Sequence, residues 1–171
     1  LYEKLIAQGF DNFESNFILG LCYEDQPDNE KALKHYQKAV QFKSDNATCL
    51  FHLALVEKAF NMDSLSMSHF NQSLEVSLPK GRALRTYKWL ADLHFQHHRY
   101  ADAARDFELC ALYDEEDNPL NYYNAAQMFI ASKNKLKAKL YLQMFLANAN
   151  RLEDKKESAQ LISKAKEQLK Q

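Results

Sequence analysis

The side chains with the most chemical reach in this chain are histidines and carboxylates set close together. His94, His97 and His98 are near neighbours, and His94 and His98, four apart, would share one face of a helix. Two imidazoles at that spacing can grip a transition metal, but no cysteine or carboxylate completes a known ligand spacing. They read as core and turn histidines. The run Asp114-Glu115-Glu116-Asp117 has charge enough for Ca²⁺, yet lacks the alternating ligands and the glycine of a binding loop. It reads as a solvated turn. A glycine-rich phosphate loop, a nucleophile elbow and a Cys/His pair at motif spacing are all missing from the sequence. The expectation is a protein that is not an enzyme and needs no cofactor or metal.

A period runs along the chain. An apolar residue precedes a small one at Leu19-Gly20, Leu53-Ala54, Leu90-Ala91 and Ala125-Ala126. Each pair is followed by a second small site and a large apolar one: Ala32/Tyr36, Ser66/Phe70, Ala103/Phe107 and Ala138/Leu142. Successive copies are 34, 37 and 35 residues apart at all of these positions. A helix–turn–helix unit at that period predicts an all-α solenoid, which buries its core between neighbouring units and presents a surface. Only three glycines and three prolines interrupt it, as long helices require.

The copies divide the chain as follows. Residues 13–46 form a first repeat, with Asp28 capping its second helix after Pro27. Residues 47–83 form a second, behind the cap candidate Asp45, with Asp63 as the inner cap. Its end, Leu78-Pro79-Lys80-Gly81, predicts a longer loop that accounts for the 37-residue step. Residues 84–118 form a third, and 119–150 a fourth that opens on Asn118-Pro119, a cap followed by proline at the first helical position. Residues 151–171 carry one apolar stripe, Leu161, Ile162, Ala165 and Leu169, among Lys, Glu and Gln, which suits a terminal capping helix. Tyr2 and Leu5 sit one period before Tyr36 and Ala39, so residues 1–12 read as the second helix of a partial preceding repeat, and the chain as a piece of a longer protein.

Charge and cysteines narrow the classes further. Residues 131–171 hold 10 Lys/Arg and 4 Asp/Glu, a net of +6, and the total of −1 leaves −7 on residues 1–130. An acidic body argues against a nucleic-acid surface, and a solvated end-cap is the simplest reading of the basic tail. No apolar run approaches the length of a membrane span. Cys22, Cys49 and Cys110 are odd in number and scattered among apolar neighbours, which predicts free, buried thiols. That leans toward a soluble protein of a reducing, cytoplasmic compartment, with the periplasm still open.

The pattern resembles the tetratricopeptide repeat family. In the first repeat Asn16, Leu19-Gly20, Tyr23, Ala32, Tyr36 and Ala39 match it, and in the third Tyr87, Leu90-Ala91, His94, Ala103, Phe107 and Cys110. Glu57 and His94 stand where the family has Tyr, and Phe145 occupies a small-residue site. The resemblance implies a right-handed superhelix whose concave groove is lined by the first helix of each repeat and holds a partner's peptide or helix. On that face lie Phe17 and Leu21, then Phe51 and Leu55, then Lys88 and Asp92, then Tyr123 and Gln127. Aromatics at 17, 51 and 123 suggest a ladder of anchors. Some members of the family clamp the acidic C-termini of chaperones. Here Lys88 and Asn124 fall near two clamp positions, but Asp92 and the apolar Phe17 and Leu21 leave that clamp incomplete. The function implied is a protein–protein interaction scaffold or adaptor. The alternative is an architectural segment that self-associates through an N-terminal edge around Tyr2, Leu5 and Phe10. A groove filled by the chain's own tail near Lys155-Lys156 is a further arrangement compatible with the sequence.

Overall fold

Apolar and small residues recurring every three or four positions, with few breakers between them, drive most of the chain into helices. The computed structural model describes residues 2–114, 116–152 and 154–170, and the side chains of Leu5, Lys155 and Glu157 lie outside that description. Glu115 of the acidic run also lies outside it. Among the described residues there are ten α-helices and no strand: α1 (Tyr2–Ala7), α2 (Phe13–Asp25), α3 (Asn29–Phe42), α4 (Ala47–Ala59), α5 (Asp63–Val76), α6 (Lys80–Gln96), α7 (Tyr100–Tyr113), α8 (Pro119–Ala131), α9 (Lys135–Asn148) and α10 (Lys155–Gln168). They fall into two units, residues 1–79 and 80–171. In the first, α2 pairs with α3 and α4 with α5, while α1 lies against α2. In the second, α6 pairs with α7 and α8 with α9, and α10 lies against α9. The architecture is all-α, built from helix–turn–helix hairpins.

One turn recurs inside every hairpin. The amide N–H of Asp28 donates to the Tyr23 carbonyl at 2.9 Å, Met62 to Glu57 at 3.0 Å, Arg99 to His94 at 2.8 Å and Asn134 to Phe129 at 2.8 Å. These donors and acceptors repeat at the spacing of the sequence period. The residue before each of the last three donors, Asn61, His98 and Lys133, is left-handed, with φ of 56°, 58° and 60°. Its own N–H donates to Lys58, Phe95 and Ile130 respectively. This is the Schellman closure of a helix, six-to-one and five-to-two bonds around a left-handed residue. Pro27 has no N–H, so the first hairpin makes the longer bond alone. The donor that closes the first helix is also the N-cap of the second. One residue therefore ends one helix and begins the next.

Caps follow from the same geometry, with some corrections to the expectations. Asp28 and Asn118 cap as predicted, accepting from Lys31 and Leu120 N–H, and Pro119 takes the first helical position. The cap of α4 is Asn46, not Asp45; its side chain accepts from Cys49 N–H at 2.9 Å. The cap of α5 is Met62, not Asp63, because the closure of α4 already holds Met62 there. The predicted loop at 78–81 is shorter than expected: α6 already begins at Lys80, directly behind Pro79, and takes in Gly81. Cys22 is exposed, since α2 turns it away from the face that buries Leu19 and Gly20, whereas Cys49 and Cys110 are buried.

In the first unit the core gathers Ala32, Tyr36, Ala39, Cys49, Leu53 and Val56. Gly20 packs closely against the Tyr36 ring. A methyl group at Gly20 would lie 2.5–2.9 Å from three ring carbons of Tyr36. That ring cannot step aside, being fully buried with its hydroxyl donating to Glu24 at 2.6 Å. In the second unit α10 closes the end: Ala165, with Leu161, Ile162 and Leu169, packs on Tyr123, Ala126, Leu142 and Phe145. The large Phe145 thus meets a small residue of the terminal helix.

Two effects oppose each other at Gly20. Alanine is the better helix former by about 1 kcal/mol, while overpacking a closed core costs about 1–3 kcal/mol. With the Tyr36 ring pinned, overpacking wins. Gly20→Ala should lower the unfolding free energy by about 1–2 kcal/mol in urea titration; an unchanged or raised midpoint would show that the helices can part there.

Candidate interaction surface

The first helices of the hairpins carry the residues singled out for binding, and the structure sorts them by burial. In the first unit Phe17 is half-buried, its ring stacked on Phe13 at 5.5 Å and edge-on to His52 at 6.3 Å. Leu21 and Leu55, one period apart on α2 and α4, are half-buried with part of each side chain in solvent. Phe51 is not available as an anchor. It is 1% exposed, packed on Phe70 at 6.0 Å and on His52 at 5.4 Å. An aromatic on the inner face of α4 finds the aromatic of α5 within reach, and burial outweighs display.

In the second unit Lys88 is exposed and Asp92 half-buried, its carboxylate accepting from Gln96 at 2.9 Å. Tyr123 is a second correction: it is 7% exposed, with its ring 5.0 Å from Phe145. Its hydroxyl is buried without a hydrogen-bond partner among the described residues. Gln127 exchanges a reciprocal pair of 3.0 Å amide hydrogen bonds with Gln168 of α10. The ladder of three aromatic anchors therefore does not exist in this structure. Lys88 is exposed, and Phe17, Leu21, Leu55 and Asp92 remain accessible in part.

Two of the three neighbouring histidines make contacts within the protein. His94 is buried, its Nδ1 2.6 Å from Asp106 Oδ2. His98 occupies the left-handed turn position, 3.0 Å from the Tyr100 hydroxyl. Among the described residues no group of three or more His, Cys, Asp or Glu is placed to hold a metal. Burial pushes the Cys49 and Cys110 thiols up to about 12, which keeps them as protonated core residues.

A feature the sequence reading passed over links each first helix to its partner. Tyr23 stacks on His35 at 5.6 Å, Glu57 meets His69 at 2.7 Å, His94 meets Asp106 at 2.6 Å, and Phe129 lies 5.5 Å from Tyr141. Positions 35, 69, 106 and 141 keep the 34, 37 and 35 spacing of positions 23, 57, 94 and 129. Glu57 and His94, departures from the family's Tyr when taken singly, are halves of compensated pairs. Buried acid and base in contact satisfy each other, whereas either alone would be costly. Burial pushes the Asp106 carboxyl up, and the bond to His94 works against that rise.

Around the first pair the polar network extends. Asn16 is fully buried, donating to Asp11 at 2.6 Å and lying 3.0 Å from His35. Glu24 receives the Tyr36 hydroxyl and stands 2.9 Å from His52. Every polar group here faces another protein group, so the network holds helices together.

Comparison with solved structures fits this construction. MamA superposes with a TM-score of 0.70 at 14% identity, over 88% of this chain and 85% of its own. YrrB, a TPR protein, superposes at 0.69 and 13%, over 98% and 91%. The fold is that of the tetratricopeptide-repeat proteins. PilF of Pseudomonas aeruginosa shares this fold at a TM-score of 0.67 and 16% identity, over 98% of this chain and 76% of its own. No family model and no curated protein matches the sequence. No described helix of this tetratricopeptide-repeat fold is long and apolar enough to cross a membrane.

The paired positions make a direct test. His94→Phe leaves the Asp106 carboxylate without its base and should cost about 3 kcal/mol. His94→Phe/Asp106→Tyr, which transplants the Phe129/Tyr141 pair, should recover more than half of that loss in urea unfolding. A double variant no more stable than the single would mean that the positions are not equivalent.

Proposed function

We propose that the chain is a protein–protein interaction module that holds an extended peptide or a helix of a partner against α2 and α4 of its first unit. The observation that carries this reading is the placement of Leu21 and Leu55. They stand at equivalent positions on α2 and α4 of the first unit, each with apolar surface left in water. Phe17 flanks them on the same helix as Leu21. Apolar side chains repeated at one register are what a peptide's alternate residues engage. Among proteins of the same fold, YrrB is described as having an unusual peptide-binding site, which supports this use of the fold here. The partner is protein and not nucleic acid: the net charge of −7 on residues 1–130 repels phosphate.

A second reading rests on Phe10, 58% exposed beside α1. An apolar side chain at that edge would serve self-association of two copies.

Selection from a random-peptide display library separates the two. Peptides enriched on the wild type should lose at least about tenfold in affinity for Leu21→Gln/Leu55→Gln, a change of about 1.4 kcal/mol or more, with the helical circular dichroism unchanged. Equal affinity for that variant, or no enrichment, would contradict the peptide reading. A dimer in light scattering that Phe10→Ser dissolves would replace it with the second.

A further inference from the structure

A different surface, at the far end of the second unit, has the features of a binding site. The start of α9 and the end of α10 enclose a cleft of about 440 Å³. Its floor is apolar, made by Ile130, Ala138, Leu142 and Leu169, and three lysines, Lys133, Lys135 and Lys139, stand around it. Among the described residues no carboxylate lines it. All three lysines are exposed, and Ile130 is 41% exposed. Beside the cleft α9 displays Leu136 at 82% exposure and Leu140 at 51%, one turn apart.

The lysines are placed against the local rules. Asp or Glu belongs in the first turn of a helix, where the backbone N–H groups leave positive potential. The other second helices comply, with Glu30 in α3, Asp63 in α5 and Asp102 in α7. In α9 the first turn has no acid and holds Lys135 and Lys137. Lys137 is neutralised by Glu108 at 2.8 Å. Lys133, Lys135 and Lys139 face the cleft without such a partner among the described residues. The region around them, residues 131–171, carries a net charge of +6. Positive charge held where it opposes the helix dipole, around an apolar floor, calls for a ligand that brings both carboxylates and apolar surface.

We propose that this cleft docks an acidic amphipathic helix of a partner protein. Its apolar stripe would lie on Ile130, Ala138, Leu142 and Leu169, and its carboxylates would pair with Lys133, Lys135 and Lys139. A concave cleft between two helices fits a third helix better than the flat face of a bilayer. The site shares no residue with the Leu21/Leu55 strip, so it stands or falls separately from that reading.

The probe is a fluorescein-labelled synthetic helix of about five turns, with Leu at i, i+3, i+4 and i+7 and Glu on the flanks. Anisotropy should show saturable binding to the full chain, weakened at least about tenfold between about 0.05 and 0.3 M salt. Lys133→Glu/Lys135→Glu/Lys139→Glu should weaken binding at least about tenfold while its melting temperature stays level or rises, since acids replace bases near a helix start. Ile130→Ser should weaken binding with the lysines intact. The same helix with Lys for Glu should not bind. Undiminished binding by the triple variant, or no binding by the wild type, would overturn the proposal. So would retention on phosphatidylserine vesicles with no peptide bound, which assigns the surface to a membrane. A wild-type dimer that the triple variant dissolves would assign it to a second copy and overturn the proposal equally.

Discussion

The backbone bond that closes each first helix onto the start of the second is the constraint from which the rest of the structure follows. In four hairpins the N–H of Asp28, Met62, Arg99 or Asn134 reaches back to the carbonyl five residues earlier. Because that donor is also the cap of the next helix, the angle and register between the helices are set by backbone geometry, and side chains then adapt to it. The three left-handed positions tolerate residues as different as Asn61, His98 and Lys133. Their conformational cost is offset by closing two orphan carbonyls in a place where water would otherwise have to serve.

Once the register is fixed, two side-chain positions per hairpin are forced together, and chemistry there needs only to be mutual. An aromatic contact serves at Tyr23/His35 and Phe129/Tyr141, and an acid–imidazole contact at Glu57/His69 and His94/Asp106. The acidic partner sits on the first helix in one repeat and on the second helix in the next. Each solution is stable as a pair and unfavourable when mixed, so substitutions at these places must be coupled. The same logic operates at Gly20. A Tyr in place of Phe or Leu at position 36 brings a hydroxyl that Glu24 can hold, and the ring so held leaves no room for a Cβ opposite.

Much of this was legible in the chain alone. The small-residue period, the caps at Asp28 and Asn118, the burial of His94 and the end-closing role of Leu161, Ile162, Ala165 and Leu169 are local or periodic signals, and periodicity averages out noise. What was not legible depends on a neighbour. Phe51 and Tyr123 share a register position with Phe17, but Phe70 and Phe145 cover them, and coverage is a property of the pair of helices. The cap at Met62 was hidden because Asp63 has the better side chain for the task, while the backbone bond to Glu57 decides the matter. Glu57 and His94 looked like exceptions because each was read without its partner on the following helix, although the partners recur at the same spacing.

The two proposed surfaces differ in kind, one a strip of apolar side chains and one apolar within a basic rim, so a single partner need not use both. Both depend on hairpins held rigid by the shared turn. Amide hydrogen exchange tests that dependence most directly. The N-cap N–H of a helix ordinarily lacks a backbone acceptor and exchanges freely. Here the amides of Asp28, Met62, Arg99 and Asn134 should exchange as slowly as those in the middle of the adjoining helices. Exchange of these four at the rate of an open chain would contradict the account.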